Sequence, residues 1–283
     1  FTSSANVRVT EFMRMLGYGA KNTYNRYCFE ESSPVANLFL GLKYMIERDG
    51  EVEANRYFDP IFASGEVYLL ENNAYLPLGF LAQSELSDLV LTGSDHFDIQ
   101  NALFSAATDL YADVWHPMEP QITGEELTIS SISGPTVKYS GSQSGASMVY
   151  SFTADREGFV CLDFDVTKRN SYTVYLNGEK LYSESLSLTQ MIAACDVIPG
   201  DVIEIDLTCK QGEDGRMTIR AAILDDALFR RGVEKLSEST LELTEFDTTY
   251  LCGTVDAAKD GLLYTSIPQD GGWSVIVDGE ESE

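Results

Sequence analysis

The chain has 283 residues, a formal net charge of -26 and 44% hydrophobic residues. That much apolar material builds a packed core, so disorder is excluded, and the length suits one large domain or two ordinary ones. The carboxylate excess excludes a nucleic-acid surface, which needs clustered Lys and Arg, and disfavours docking on anionic lipid; a cationic partner, a divalent ion or a neutral polymer stays open, beside plain solubility.

The first hundred residues read as mixed α and β. Val9, Phe12, Met13 and Leu16 recur at helical spacing over Val7 to Leu16, and Gly17 and Gly19 follow as stop signals. Ser33-Pro34 opens a second helix through Leu40, with Ser as cap and Pro in the first turn, and Gly41 breaks it. Leu42 to Ile46, Glu66 to Leu70 and Leu78 to Ala82 read as strands, and Ser94-Asp95 caps a helix from Phe97 to Ala107.

After Tyr111, Pro117, Pro120, Gly124 and Gly134-Pro135 punctuate the chain, and Ser140 to Ser147 is rich in Ser and Gly. The junction between the two parts is expected between about Asp109 and Gly124, and the stretch from Pro117 to Gly145 is expected to be an exposed connection where proteases cut. From Met148 the pattern is strands. Val160, Leu162, Phe164 and Val166 alternate with more polar residues, as on a half-buried strand. Tyr172 to Leu176 runs into Asn177-Gly178, a two-residue hairpin signal because both residues tolerate positive φ. Pro199-Gly200-Asp201 is a turn, and Val202 to Leu207 and Met217 to Ile223 are further strands. Short strands with regular turns predict a jelly-roll-like β-sandwich. The expected fold class is therefore an α+β N-terminal part, 1–115, followed by an all-β sandwich, 116–283. Trp273 to Val277 reads as a strand held by pairing on its other side. Asp278-Gly279 reads as a type I′ turn whose returning strand is cut short, with an exposed sheet edge. The opening Phe1-Thr2-Ser3-Ser4, without Met, reads as the start of an excised segment, and no stretch has the roughly 20 apolar residues of a spanning helix.

Chemistry-bearing patterns are sparse. Cys28, Cys161, Cys195, Cys209 and Cys252 are scattered, an odd number without C-x-x-C, so buried free thiols are the default. His96 and His116 lack zinc-site spacing and read as surface or capping residues. Gly141-Ser142-Gln143-Ser144-Gly145 has the glycines of a nucleophile elbow without Ser at its centre. Gly17-Tyr18-Gly19 begins like a dinucleotide loop, but Asn22 stands where the third Gly belongs. Asp163 with Asp165, and Asp225 with Asp226, could serve acid–base work or calcium, though a chain with 45 acidic residues supplies such pairs by chance. Tyr18, Tyr24, Tyr27, Tyr57 and Tyr75 crowd the first half and fit either a sugar-binding surface or an ordinary core and rim.

Three stretches carry a family resemblance. Phe1 to Ser4 leads into the helix ending at Leu16-Gly17. Leu40-Gly41-Leu42-Lys43-Tyr44-Met45-Ile46 is followed by Asn72 to Phe80, which contains Leu76-Pro77-Leu78-Gly79-Phe80. Gly261 to Gly279 contains Ser266-Ile267-Pro268-Gln269-Asp270-Gly271-Gly272-Trp273, with Gln269 in place of the usual aromatic. In order and spacing they resemble the YfhO family of bacterial polytopic membrane proteins. The same residues have structural readings: Pro77 and Gly79 fix a turn, Trp273 anchors a core, and Lys43 snorkels at a strand edge.

The resemblance implies a parent with many membrane helices of the GT-C glycosyltransferase kind, moving sugar from a lipid-phosphate carrier to cell-wall polymers such as teichoic acids. It implies that this chain is the outward-facing region before the last membrane helix, at the extracellular face. The acidic catalytic residue of such enzymes lies in an early loop that this chain lacks, so no catalytic, cofactor-binding or metal residue is assigned. The expected partners are the parent's own transmembrane region and cell-wall polysaccharide or teichoic acid, and no nucleic acid. Three functions remain: an accessory domain that positions the acceptor, an independent glycan-binding module, and a structural cap. A freestanding hydrolase is disfavoured.

Overall fold

A computed structural model describes residues 6–21, 26–28, 33–48, 56–166, 170–186, 189–268 and 271–282. Helix α1 (Val7–Met15) is capped by Asn6, whose side chain accepts from Arg8 N at 2.9 Å. It ends at Gly17, which takes φ +94 and lies against Met191, so a side chain there would clash. Strands β1 (Gly19–Lys21) and β2 (Arg26–Cys28) pair antiparallel. Ser33 caps α2 (Pro34–Phe39) by accepting from Ala36 N at 3.0 Å, with Pro34 in the first turn and Gly41 at φ +60 beyond the end. Strands β3 (Tyr44–Glu47), β4 (Phe58–Ser64) and β5 (Val67–Asn72) form a sheet in the order β3-β5-β4. Strand β6 (Gly79–Ala82) and a 3-10 turn lead to α3 (His96–Thr108), capped by Asp95.

Eleven strands then make two stacked sheets. They are β7 (Trp115–Met118), β8 (Pro120–Glu125), β9 (Thr128–Ser133), β10 (Thr136–Ser140), β11 (Ser147–Thr153), β12 (Gly158–Val166), β13 (Asn170–Leu176), β14 (Glu179–Leu186), β15 (Gln190–Val197), β16 (Val202–Thr208) and β17 (Gly215–Leu224). One sheet runs β15-β12-β17-β10-β9, with β7 also on β17; the other runs β14-β13-β16-β11-β8. Their facing side chains, among them Tyr150, Phe152, Phe164, Ile205 and Ile219, form the sandwich core. The chain is thus mostly β, with a β-sandwich at its centre. Asn177 (φ 52) and Gly178 (φ 81) make the β13–β14 turn that their tolerance of positive φ predicts.

The stretch from Pro117 to Gly145, expected as an exposed connection, is instead mostly the strands β7 to β10. Pro117 sits in β7 and Pro120 opens β8; among the described residues each strand has a partner on one side only, so the missing N–H costs no ladder bond on the open side. Gly134 (φ +53) and Pro135 form the β9–β10 hairpin turn.

The sandwich strands end at Leu224, and the residues after it do not extend them. A first core, distinct from that of the sandwich, gathers Leu38, Phe39, Tyr57 and Leu70 from the N-terminal elements, and helix α4 (Asp226–Ser237) lays Leu228, Phe229 and Leu236 into it beside Phe104 and Trp115. Strands β18 (Leu241–Phe246) and β19 (Leu251–Val255) form a hairpin, and β20 (Leu262–Thr265) pairs with β6, far back in the sequence. The two cores share a wall. Phe159, Cys161, Met191, Ala222 and Leu224 point from β12, β15 and β17 into the first core, while Val160, Leu162, Ile192 and Ile223 point into the second. Strand β12, read as half-buried, is therefore covered on both faces.

Strand β21 (Val275–Val277) pairs with β22 (Glu280–Ser282) through Asp278 (φ 53) and Gly279 (φ 87). The turn is the expected one, but the returning strand is present within the chain. Val275 to Val277 shows no pairing on its other side among the described residues, and Trp273 is 42% exposed rather than a core anchor.

Candidate functional site

The two outer faces of the sandwich differ. One sheet is packed on the first core. On the other, no hydrophobic cluster among the described residues covers the outward positions. Register places Gln121, Ser151, Glu204, Tyr175 and Lys180 in one row across the five strands. The next row is Thr123, Val149, Asp206, Thr173 and Ser183, and the third runs from Glu125 through Ser147, Thr208 and Ser171 to Ser185. Alternation explains the composition: Met148, Tyr150, Ile203, Ile205, Tyr172 and Val174, the intervening residues, are all buried in the sandwich core. The result, among the described residues, is a largely polar surface rich in hydroxyls, with Tyr175 as the aromatic ring of these rows.

Asp206 lies in the middle row on the middle strand. Its Oδ1 is shielded from solvent and, among the described residues, has no hydrogen-bond partner. Burial first, then the nearby Glu125 carboxylate, pushes its pKa above the usual carboxylate range. Beside it, Thr173 Oγ1 and Ser183 Oγ are 2.8 Å apart.

A second polar cluster lies where the sandwich meets α3. Asp163 on β12 is directly opposite Arg220 on β17. Arg220 Nη1 donates to Asp163 Oδ2 at 3.0 Å, and its Nε lies 2.8 Å from Asp95 Oδ2. His96 Nδ1 lies 2.7 Å from Asp163 Oδ1. Asp163 is wholly buried and His96 is 3% exposed, so His96 is neither a surface nor a capping residue. Asp163 is therefore a clamp fixing the start of α3 to the shared wall. An open cleft of about 200 Å³ adjoins it, rimmed by Asp95, Asp98, Asp113, Glu119 and Arg220. Burial, then Asp95 and Asp113, raise the Asp98 pKa.

The other candidates have structural duties. His116 Nε2 is 3.5 Å from Asp225 Oδ2 and, among the described residues, makes no hydrogen bond. Asp165 pairs with Arg216 at 2.8 Å. Asp225 caps α4 by accepting from Leu228 N, and Asp226 accepts from Tyr57 Oη and Arg230. Ser142 Oγ ties two loops together, meeting Glu213 N at 2.6 Å. Tyr18 and Tyr57 are buried, which removes them as a sugar platform; Tyr24 lies outside the described residues. Among the described residues no group of three His, Cys, Asp or Glu is placed to hold a metal ion.

The second and third resemblance-bearing stretches meet in one place. Asn72 Nδ2 donates to Leu42 O at 2.8 Å, and Asn72 N to Lys43 O at 2.8 Å. Tyr264 Oη donates to Phe39 O at 2.8 Å, and its ring stacks on Phe80 at 5.1 Å between centroids. Ser266 N donates to Leu78 O at 3.1 Å. The Lys43 side chain stands outside this knot, with Nζ 5.0 Å from the Tyr44 ring centroid and 5.4 Å from that of Tyr75. Sequence reasoning missed Arg220, Gln100 and Asn101. Gln100 Oε1 accepts from Trp115 Nε1 and Ser33 Oγ, and Asn101 bonds both backbone groups of Trp115. No local pattern marks such hubs; only the fold brings their partners together.

A family model described as bacterial membrane protein YfhO matches residues 1–283. No curated protein matches the chain. Among solved structures, an active-site mutant of a family two carbohydrate esterase from Clostridium thermocellum aligns at 14% identity and TM-score 0.26, over 38% of this chain and 32% of that one. CBM35 from Paenibacillus barcinonensis aligns at 13% identity and TM-score 0.25, over 37% and 96%. A carbohydrate binding module of family 29 aligns at 15% identity and TM-score 0.26, over 39% and 86%. No helix among the described residues is long and apolar enough to cross a membrane.

Proposed function

The chain belongs to the YfhO family of bacterial membrane proteins, and from that premise we propose that it is the extracellular accessory region of a polytopic glycosyltransferase that decorates cell-wall polymers such as teichoic acids. In this reading the chain works as two units, an α+β first unit and a jelly-roll-like sandwich, and the sandwich holds or orients the acceptor. The sugar-transfer centre lies in the membrane part of the parent, and this chain contributes no catalytic residue.

The observation that carries the reading is the unequal treatment of the two sheets. A cap that only stabilised its neighbours would gain by burying both outer faces in contacts. Here one face is fused to the first core and the other presents a polar, hydroxyl-rich sheet. Hydroxyls that donate and accept at once suit a polyhydroxylated ligand.

The purified chain, titrated against teichoic acids and cell-wall glycans by calorimetry, is expected to bind at least one of them. Incubated with a lipid-phosphate sugar and a teichoic acid acceptor, it is expected to give no transfer. Failure to bind any polymer, with sugar transfer by the parent unaffected by mutations on the open face, would leave the structural cap as the better reading.

A further inference from the structure

The three-stranded sheet β3-β5-β4 is covered on one face only. Met45, Leu70 and Pro60 share one row across it, and Glu47, Tyr68 and Ala63 another. Of these, Met45, Leu70 and Tyr68 pack on the first core. The alternate rows point the other way. They are Tyr44, Glu71 and Asp59, then Ile46, Leu69 and Phe62, then Val67 with Ser64. Ile46 is 61% and Phe62 63% exposed, Tyr44 and Val67 are exposed as well, and no hydrophobic cluster among the described residues takes this face in. An unbroken apolar row across three strands, on a chain with 45 acidic residues, marks an interaction surface.

The charges around that row decide what fits it. Lys43 and Arg48 stand at the two ends of β3, while Asp59 lies on β4 and Glu66 in the β4–β5 turn. One side of the face is thus basic and the other acidic, so a partner of a single sign meets repulsion along one side. A second copy of the same sheet, turned about an axis parallel to the strands, lays β3 over β4. Asp59 then faces Lys43, Glu66 faces Arg48 and Phe62 faces Ile46, each twice, with Leu69 on Leu69 at the axis. Glu71 meets its own copy there, each 3.9 Å from the Lys43 of its own chain. An axis across the strands would set cation on cation, so the pattern selects the axis as well as the occupant. The net charge of -26 opposes association from afar, but a screening length of about 8 Å leaves the facing pairs to dominate at contact. Ile61 is the extra residue of a bulge in β4, which spoils that edge as a template for strand addition and leaves the face as the contact.

We infer that this face joins two copies of the chain in a weak symmetric dimer, sheet on sheet with strands aligned and the Ile46–Leu69–Phe62 row at its centre. The proposal is independent of the glycan-binding reading. Outer strands about 10 Å apart and rows spanning about 14 Å make a footprint at the small end of specific interfaces, so a Kd between about 10 µM and 1 mM is expected in solution. In a membrane-protein parent, confinement to a plane raises the effective concentration, and such a contact then suffices to pair two molecules.

Sedimentation equilibrium of the whole chain, from about 10 µM to 1 mM at about 0.15 M salt, tests it. A monomer–dimer equilibrium is expected. Phe62→Ser should weaken it about tenfold or more, since the ring is lost from two places in each dimer. Arg48→Glu and Glu66→Arg should each weaken it about threefold to tenfold, and the two together should restore it, because the swap rebuilds both facing pairs with reversed sign. Phe246→Ser, on the exposed β18 strand, should change nothing. Circular dichroism checks that each variant is folded; should Phe62→Ser unfold, Ile46→Thr takes its place with a loss of the same sign. A chain that stays monomeric up to about 1 mM would overturn the dimer. A dimer indifferent to Phe62→Ser and Ile46→Thr would overturn this face as its interface. Loss on both single charge reversals without recovery in the double would overturn the two-fold arrangement proposed.

Discussion

Arg220→Ala tests the clamp between the two cores. The substitution removes the guanidinium that sits 3.0 Å from Asp163 Oδ2 and 2.8 Å from Asp95 Oδ2. The two losses are unequal. Asp95 is partly exposed and still caps α3, so its share is at most about 1 kcal/mol. Asp163 is wholly buried and, among the described residues, keeps only His96 as a side-chain partner. Stripping one partner from a buried charge costs about 3–5 kcal/mol, and the surviving His96 contact puts the expectation near ~3 kcal/mol. For a chain of this size, that lowers Tm by roughly 6–12 °C. Scanning calorimetry reads it directly. Arg156→Ala serves as the control, because its pair with Asp155 is exposed and is worth less than about 1 kcal/mol. With Asp163→Ala added, the double variant should lose less than the sum of the singles by about 1–3 kcal/mol. A Tm for Arg220→Ala within about 2 °C of the Arg156→Ala value would refute the clamp.

Gly232→Ala on α4 would overlap the buried Phe104 ring; the overpacking costs about 1–3 kcal/mol against a helix-propensity gain of about 1 kcal/mol, so urea titration should show a net loss. Burial, with Glu213 adding, pushes the Cys209 thiol up to about 11, so at pH 8 roughly one thiol in a thousand is ionised; iodoacetamide followed by mass spectrometry should label exposed Cys252 in the folded chain and spare Cys209 until unfolding. Because the Asp206 pKa is raised by folding, its charge opposes folding above that pKa and the penalty disappears as pH falls through it. Asp206→Asn should therefore melt higher than the unsubstituted chain at pH 7, with the gap closing towards pH 4, and an unchanged gap would count against the burial of that carboxylate.

Local signals were legible wherever one or two residues dictate backbone conformation. Ser33-Pro34, Asp95, Asn177-Gly178 and Asp278-Gly279 are read correctly because a cap or a positive-φ turn is decided within four residues. The same vocabulary misled between Pro117 and Gly145, where proline and glycine are equally at home in a linker and on a sheet edge. Only the pairing of β7 and β8 on one side tells the two apart. Pairing across long separations was illegible. Nothing near Tyr264 announces Phe80, and nothing near Asp163 announces Arg220 or His96. Asp163 therefore read as one chance carboxylate among many. The open face was equally hidden, since Asp206 gains its central place only from the register of the four other strands of its sheet.

The sandwich begins and ends side by side: Trp115, where it starts, is the direct β-partner of Leu224, where it stops. A module hung on a single tether swivels freely and samples its surroundings. This one is mounted at two adjacent points and bolted along a third line by Phe159 and Cys161. Its heading is thus inherited from the first unit, and β20 locks that unit in turn by closing the chain back onto β6. On the proposed reading, a polymer held on the open sheet would be presented in a fixed direction relative to Gly79 and Thr265. The bearing of such a polymer would then be a property of the fold, not of a flexible search.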